Sequence, residues 1–206
     1  ASYEWMHLRL DTGKSFLAEV LLSRMQLENK VLIQATVRDI TEKRRAEMDL
    51  RKLSMAVEQS PNSIIITNTD AQIEYVNDTF IRISGYPREE LIGQNPRILQ
   101  SGLTPPDTYA RLWQALRQGQ CFEGEFTNKR KNGEVYIEFG IFSPIRQADG
   151  TVSHYLAIKE DITERKQVAE ELERHRFHLE DLVRQRTAEL AEAKRVAEQA
   201  TLAKSS

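Results

Sequence analysis

The chain has 206 residues, and nearly equal numbers of basic and acidic residues give it a formal net charge of −2. This length accommodates one ordinary domain, with or without extended elements. No apolar run approaches the roughly 20 residues of a transmembrane helix, and we expect neither membrane insertion nor a signal peptide. The near-neutral charge argues against nucleic acid as a partner. Because Cys121 is the single cysteine, the sequence excludes an internal disulfide framework and favours a cytoplasmic location.

A short motif occurs twice in the chain. Asp39-Ile40-Thr41 returns as Asp161-Ile162-Thr163, each copy is followed by an acidic and two basic residues, and each follows two predicted strands joined by a turn. The matching strand pattern disfavours chance similarity and indicates two similar modules in tandem. The predicted segments are residues 1–40, the C-terminal strands of a truncated first module; 41–58, a helical linker; 59–163, a complete module; and 164–206, a signalling helix.

The complete module is predicted to begin with a hairpin of two short strands, at 63–68 and 73–76. Short helices follow, the clearest of them after Pro105 and Pro106. Three strands then close the module at 122–128, 135–145 and 152–159. The order of two strands, short helices and three strands predicts an α+β domain, in which helices pack on one face of an antiparallel sheet.

The C-terminal segment has the pattern of a long helix, since no glycine or proline follows Gly150. Apolar residues occupy most positions of a seven-residue repeat, although alanines and two arginines weaken it. We predict a parallel homodimer in which the two helices form a coiled coil. Its predicted interface contains Leu172, Leu179, Val183 and Leu190. The alternative is a solvated single helix, or one that packs on its own domain.

Several motifs of the complete module resemble those of the PAS family. They are Asn77-Asp78-Thr79-Phe80, Ser84-Gly85-Tyr86, Arg130-Lys131-Asn132-Gly133 and Asp161-Ile162-Thr163-Glu164. The resemblance implies the PAS fold, a five-stranded antiparallel sheet with short helices on one face, here between an N-terminal linker helix and a long C-terminal coiled-coil helix.

The tail at 182–190 resembles the helix that leads into the dimerisation and phosphoacceptor domain of a histidine kinase. This resemblance implies a sensory module of a two-component system, with a kinase domain in the same parent chain and a response regulator as partner. We expect no enzyme activity in this segment and no metal site.

A stretch before the predicted long helix of the module is similar to flavin-binding motifs. Residues 93–100 resemble the motif of light-oxygen-voltage domains, but Pro96 replaces the photoreactive cysteine and excludes a flavin–cysteinyl adduct there. Residues 95–102, with Leu112-Trp113 and residues 128–131, also resemble PAS domains of redox regulators of nitrogen fixation and methane oxidation, which bind FAD. The resemblance implies that Asn128 hydrogen-bonds the flavin edge and that Trp113 packs near it. It also implies that the pocket wall or entrance contains Asn95, Arg97 and Gln100.

Two other functions remain open at the level of sequence. One is a PAS domain without cofactor that only dimerises and spaces the kinase, and the other is a PAS domain that regulates a cyclic-dinucleotide enzyme. If the module is sensory, the repeated motif predicts a signal relay where a strand meets a helix. The predicted relay residues are Asp161, Thr163, Asp39 and Thr41. A simple role in capping the helix is the alternative.

Overall fold

The structure is a computed structural model that describes residues 2–27 and 30–204. Residue 1, residues 28–29 and residues 205–206, which belong to the first and last predicted segments, lie outside the described residues. The chain divides into two compact units, Ala1–Ser60 and Pro61–Ser206. None of the described helices carries an apolar stretch long enough to cross a membrane.

The first unit contains a three-stranded antiparallel sheet and one helix. Its strands are β1 (Ser2–Leu8), β2 (Ser15–Leu27) and β3 (Lys30–Asp39), in the order β1-β2-β3, and helix α1 spans Thr41–Glu58. The sequence pattern indicates the two strands that precede the motif. The structure adds β1, which pairs with β2 from Leu8 opposite Ser15 to Ser2 opposite Leu21.

The second unit has the predicted α+β architecture. Its strands are β4 (Ser63–Asn68), β5 (Ile73–Val76), β6 (Phe122–Lys129), β7 (Val135–Arg146) and β8 (Val152–Asp161). They form one antiparallel sheet in the order β5-β4-β8-β7-β6. Between β5 and β6 lie α2 (Asp78–Ser84), α3 (Arg88–Leu91), a 3₁₀ turn (Pro96–Leu99) and α4 (Pro106–Arg117). The predicted fold class is confirmed.

Local sequence explains where helix α2 begins and ends. The side chain of Asn77 accepts a hydrogen bond from the Phe80 amide at 3.1 Å, which satisfies one of the free N–H groups of the first turn. Gly85 ends the helix with φ +75°, a left-handed conformation that glycine adopts without a steric penalty. The helix therefore stops in time for the chain to turn towards α3.

Apolar side chains on the inner face of the sheet pack against these helices. The buried core contains Ile65, Ile73, Val76, Phe80, Leu91, Leu99 and Ala157. A second cluster joins α4 to β6 through Leu112, Leu116 and Phe126. Alternate residues of β6, β7 and β8 point to this inner face, as the two-residue period of a strand requires. The space between α4 and the sheet is therefore lined by every second residue of these strands.

The last helix, α5, spans Thr163–Lys204. The four residues of the predicted interface are exposed by 70% (Leu172), 58% (Leu179), 64% (Val183) and 70% (Leu190). At these positions α5 does not pack on its own strands. An exposed apolar series on a charged helix is what the predicted coiled coil would bury.

Candidate ligand pocket and helix junction

A cavity of about 110 Å³ lies between α4, the 3₁₀ turn and the inner face of the sheet. Most of its wall is apolar and aromatic, from Ile65, Tyr109, Leu112, Leu116, Phe126, Phe142, Tyr155 and Ala157. Concave apolar sites with a few polar groups are the usual form of ligand pockets. The cavity is therefore the candidate ligand site of the second unit.

All five residues predicted to contact a cofactor line this cavity. Trp113 on α4 meets the ring of Tyr155 edge to face, with 5.9 Å between the ring centroids. Asn95 caps the 3₁₀ turn by accepting a hydrogen bond from the Arg97 amide at 3.0 Å. Arg97 and Gln100 are exposed at the rim, whereas Asn128 is only 4% exposed. The five residues thus run from the rim of the cavity to its interior.

Three buried polar side chains meet at the interior end of the cavity. Glu138 is 2% exposed and Lys159 is 7% exposed. One carboxylate oxygen, Glu138 Oε1, accepts hydrogen bonds from Lys159 Nζ at 2.5 Å and from Asn128 Nδ2 at 2.7 Å. Lys159 Nζ also lies 5.6 Å from the centroid of the Phe142 ring. We call Asn128, Glu138 and Lys159 the polar cluster. It places an acceptor between two donors in a largely apolar wall.

A buried tyrosine on β7, the strand that contains Glu138, lies next to the polar cluster. The Tyr136 hydroxyl donates to the second oxygen of Glu138, Oε2, at 3.3 Å. Burial, together with the neighbouring negative charge of Glu138, raises the pKa of Tyr136 far above its ordinary value. The hydroxyl therefore stays protonated and remains a hydrogen-bond donor across the physiological pH range.

The sequence analysis missed Glu138, Lys159 and Tyr136 as site residues. A usable signal existed, because Glu138 and Lys159 are charged residues at inward positions of apolar strands, two residues from Tyr136 and Ala157 respectively. Buried charges of this kind are rare unless they are paired. The pairing itself spans 21 residues and depends on the register of β7 and β8, in which Gly140 lies opposite Lys159.

The predicted relay residues of the second unit meet where β8 ends and α5 begins. Asp161 Oδ1 accepts from the Thr163 amide at 3.0 Å and from the Thr163 hydroxyl at 2.6 Å. In turn, Thr163 Oγ1 accepts from the Ile137 amide of β7 at 2.9 Å. Thr163 therefore binds the first turn of α5 to the beginning of β7.

An arginine that the sequence analysis did not select completes this junction. Arg130 donates to Asp161 Oδ2 at 2.6 Å and to the carbonyl oxygen of Ile83, at the end of α2, at 2.5 Å. Burial disfavours ionisation of Asp161, but the hydrogen bonds from Thr163 and Arg130 outweigh it and hold the pKa of this carboxyl below its ordinary value. The ionised carboxylate is thus the form that the junction stabilises.

The first unit contains the same junction. Asp39 accepts from Arg9 at 2.5 Å and from the Thr41 amide at 3.0 Å, and Thr41 Oγ1 accepts from the Leu17 amide at 3.0 Å. Each of these three contacts has a counterpart among the contacts of Arg130, Asp161 and Thr163. The repeated motif therefore has the same local geometry in both units.

Sequence comparison identifies the family of the second unit. The sequence profile of the PAS domain family matches residues 61–164. The chain belongs to the PAS domain family. PAS domains are sensory modules of signal-transduction proteins and are generally not catalytic.

Among the described residues, no group of three or more His, Cys, Asp or Glu side chains is arranged to hold a metal ion.

Curated relatives of this PAS domain include two named regulators. The nitrogen fixation regulatory protein of Klebsiella oxytoca is 38% identical over 107 residues, which cover 52% of this chain and 22% of that protein. A blue-light-activated histidine kinase of Brucella anthropi is 32% identical over 111 residues, which cover 52% of this chain and 23% of that protein. The chain thus spans less than a quarter of the length of these relatives.

Solved structures share the fold. The PAS domain of a Colwellia psychrerythraea protein superposes with a TM-score of 0.52 at 23% identity, covering 56% of this chain and 98% of that one. At this identity the likeness supports the fold of the second unit.

Proposed function

We propose that the second unit is a flavin-binding sensory PAS domain, that its cofactor is FAD, and that it passes the state of its pocket to α5 and on to a histidine kinase domain of the parent chain. The observation that carries this proposal is the polar cluster in the apolar cavity. The names of the relatives, a nitrogen fixation regulator and a histidine kinase, support the sensory and kinase context.

The hydrogen-bonding pattern of the polar cluster fits a flavin ring edge. That edge presents a carbonyl, a ring N–H and a second carbonyl in sequence. Asn128 and Lys159 offer N–H donors on either side of the Glu138 carboxylate, which is an acceptor. A donor, acceptor and donor array can pair with all three groups of the flavin edge, so the residues present suit the cofactor chemically.

The size of the cavity sets a requirement on the proposal. Pockets for drug-sized ligands and cofactors have volumes of about 300–1,000 Å³, and this cavity has about 110 Å³. Binding of a tricyclic ring therefore requires movement of the wall. We expect the rings of Tyr109 and Trp113 on α4 to move outward, because only partly exposed residues of the wall can yield without disturbing the core.

The chain's own residues divide the binding task. The buried polar cluster orients the ring, and the apolar wall excludes water from it. At the rim, Arg97 supplies a guanidinium suited to a phosphate group of FAD. When bound, FAD supplies electron-transfer chemistry, so the cofactor's redox state would be the signal. Light-driven adduct formation is not proposed, because Pro96 lines the cavity and has no thiol.

Dimerisation and location complete the proposal. The exposed apolar residues of α5 would pair in a parallel homodimer, so that a kinase domain following the helix is dimeric too. The response regulator would be a partner of the parent kinase. Because Cys121 is a free, exposed thiol, we place the protein in a reducing compartment, the cytoplasm.

The test is the cofactor content of the purified chain, expressed with ample riboflavin. We expect a yellow protein from which heat or acid releases FAD, identified by chromatography, and quenching of Trp113 fluorescence when FAD is added back. The Trp5→Phe variant restricts the signal to Trp113, since the chain has two tryptophans. A folded protein that releases no flavin and whose fluorescence does not respond to FAD would refute the proposal and favour the cofactor-free spacer.

A further inference from the structure

A continuous line of side-chain contacts runs from the polar cluster to the helix junction of the second unit. Glu138 accepts from the Tyr136 hydroxyl at 3.3 Å. The guanidinium carbon of Arg130 lies 4.5 Å from the centroid of the Tyr136 ring. Arg130 donates to Asp161 at 2.6 Å, and Asp161 accepts from the amide of Thr163 at the start of α5. Each side chain in this line contacts the next.

The inner part of this line is shielded from water. Tyr136 is 1% exposed and Glu138 is 2% exposed. Interactions between charges and hydrogen-bonding groups are stronger at such sites than at the surface. Arg130 is also fixed on its far side by the carbonyl oxygen of Ile83. A displacement of the Tyr136 ring therefore acts on an arginine that has little freedom to compensate elsewhere.

The first unit contains the junction but not the rest of this line of contacts. There Arg9 lies 5.2 Å from the centroid of the Phe16 ring and pairs with Asp39. Ala18 lies opposite Asp39 as Glu138 lies opposite Asp161, so Phe16 and Tyr136, each two residues earlier, occupy equivalent positions. Phenylalanine has no hydroxyl, and the residue two positions further along β2, where β7 has Glu138, is Ala18. The first unit thus has the junction without its link to a polar cluster.

We propose that Tyr136 and Arg130 are positioning residues that transmit the arrangement of the polar cluster to the first turn of α5. This inference rests on the proposed function of the cavity as the sensing site. A ligand that draws Glu138 towards itself removes the acceptor of a buried hydroxyl. The Tyr136 ring then shifts beneath Arg130, and the hydrogen bond between Arg130 and Asp161 changes. The hydrogen bond from the Thr163 amide to Asp161, at the start of α5, changes with it.

The test uses amide hydrogen exchange of the full chain without added ligand. The amides of Thr163 and Ile137 report the junction, because their acceptors are Asp161 Oδ1 and Thr163 Oγ1. We compare Glu138→Gln, which perturbs the cluster, in the wild-type and Tyr136→Phe backgrounds. The expected change in exchange is at least about fivefold in the wild-type background and less than about twofold with Tyr136→Phe, in line with typical coupling energies.

Two controls keep the result interpretable. The Ile64 amide, which donates to Asn77 Oδ1 at 2.9 Å, corrects for any loss of global stability. Tyr75→Phe removes the hydroxyl of another tyrosine that lies under an arginine, 5.8 Å from Arg88, and should leave the response to Glu138→Gln intact. If Glu138→Gln unfolds the protein, Asn128→Ala perturbs the same cluster without removing a charge.

The outcomes separate this inference from the proposed function. An equal response to Glu138→Gln in both backgrounds, or no response in either, would overturn the role of Tyr136. Arg130→Lys keeps the charge but loses the planar fork, and should reduce the response as Tyr136→Phe does. The exchange experiment needs no flavin, so a failure to find FAD leaves its result unaffected. Conversely, a protein that binds flavin but shows no coupling between Glu138 and the junction would support the proposed function and refute the role of Tyr136 and Arg130.

Discussion

Replacing Lys159 with methionine tests whether the buried ion pair determines the stability of the PAS unit. Lys159 and Glu138 are 7% and 2% exposed, and 2.5 Å separates Nζ from Oε1. Removing one partner of such a pair costs about 3–5 kcal/mol, because the other charge stays buried. Here Glu138 retains the Asn128 donor at 2.7 Å and the Tyr136 donor at 3.3 Å. We therefore expect a loss at the lower end of that range, about 3 kcal/mol.

The assay is urea denaturation followed by Trp113 fluorescence in the Trp5→Phe background. With a slope of about 1–3 kcal/mol/M, the expected loss lowers the midpoint by about 1–3 M. The matched control is the double variant Lys159→Met with Glu138→Gln, which removes both charges and keeps a side-chain amide as hydrogen-bonding partner for Asn128 and Tyr136. Because no uncompensated charge then stays buried, the double variant should recover to within about 1 kcal/mol of the wild type. A single variant that loses less than about 1 kcal/mol, or a double variant as unstable as the single one, would refute this reasoning.

Three further predictions concern the ligand, the dimer and the junction. Asn128→Ala removes one donor of the array and should weaken FAD binding by about tenfold in a fluorescence titration, the loss of one net hydrogen bond; unchanged affinity would remove Asn128 from the site. Leu179→Lys should weaken the dimer at least tenfold in analytical ultracentrifugation, since burial of a leucine is worth about 1.5–3 kcal/mol. Gln185→Lys, which lies outside the predicted interface, should leave the dimer affinity unchanged. Because the pKa of Asp161 is lowered in the folded state, its contribution to stability is present at neutral pH and is lost as the pH falls below about 4. Acid titration by circular dichroism should therefore show a shallower loss of stability for Asp161→Asn than for the wild type.

Local pattern was sufficient to predict most elements of the second unit. Helix α4 begins at the second residue of a proline pair and carries apolar residues at helical spacing, and the closing strands are separated by turns that contain glycine. These signals act over a few residues and need no tertiary information. The five candidate cofactor residues came from motif resemblance, and the fold places all of them on one cavity.

Local pattern marks Glu138 and Lys159 as charges at inward strand positions, but it does not show that they pair, nor which residues Arg130 contacts. A glutamate is usually exposed to solvent, and only the register of β7 with β8 shows that Lys159 neutralises Glu138. Arg130 belongs to a motif that was noted, but its partners Ile83 and Asp161 lie 47 and 31 residues away. Such pairings depend on how the whole sheet closes.

The two junctions have a consequence for how chains of this kind are assembled. Each junction is built from residues inside its own unit, since Arg9, Asp39 and Thr41 close the first as their counterparts close the second. The start of each helix is therefore fixed by contacts within its own unit. We expect that such units could be added, removed or exchanged in series if the connecting helix keeps its length, because a change in length would rotate the next unit about the helix axis. The length of α1, from Thr41 to Glu58, is then the quantity that such an exchange must preserve.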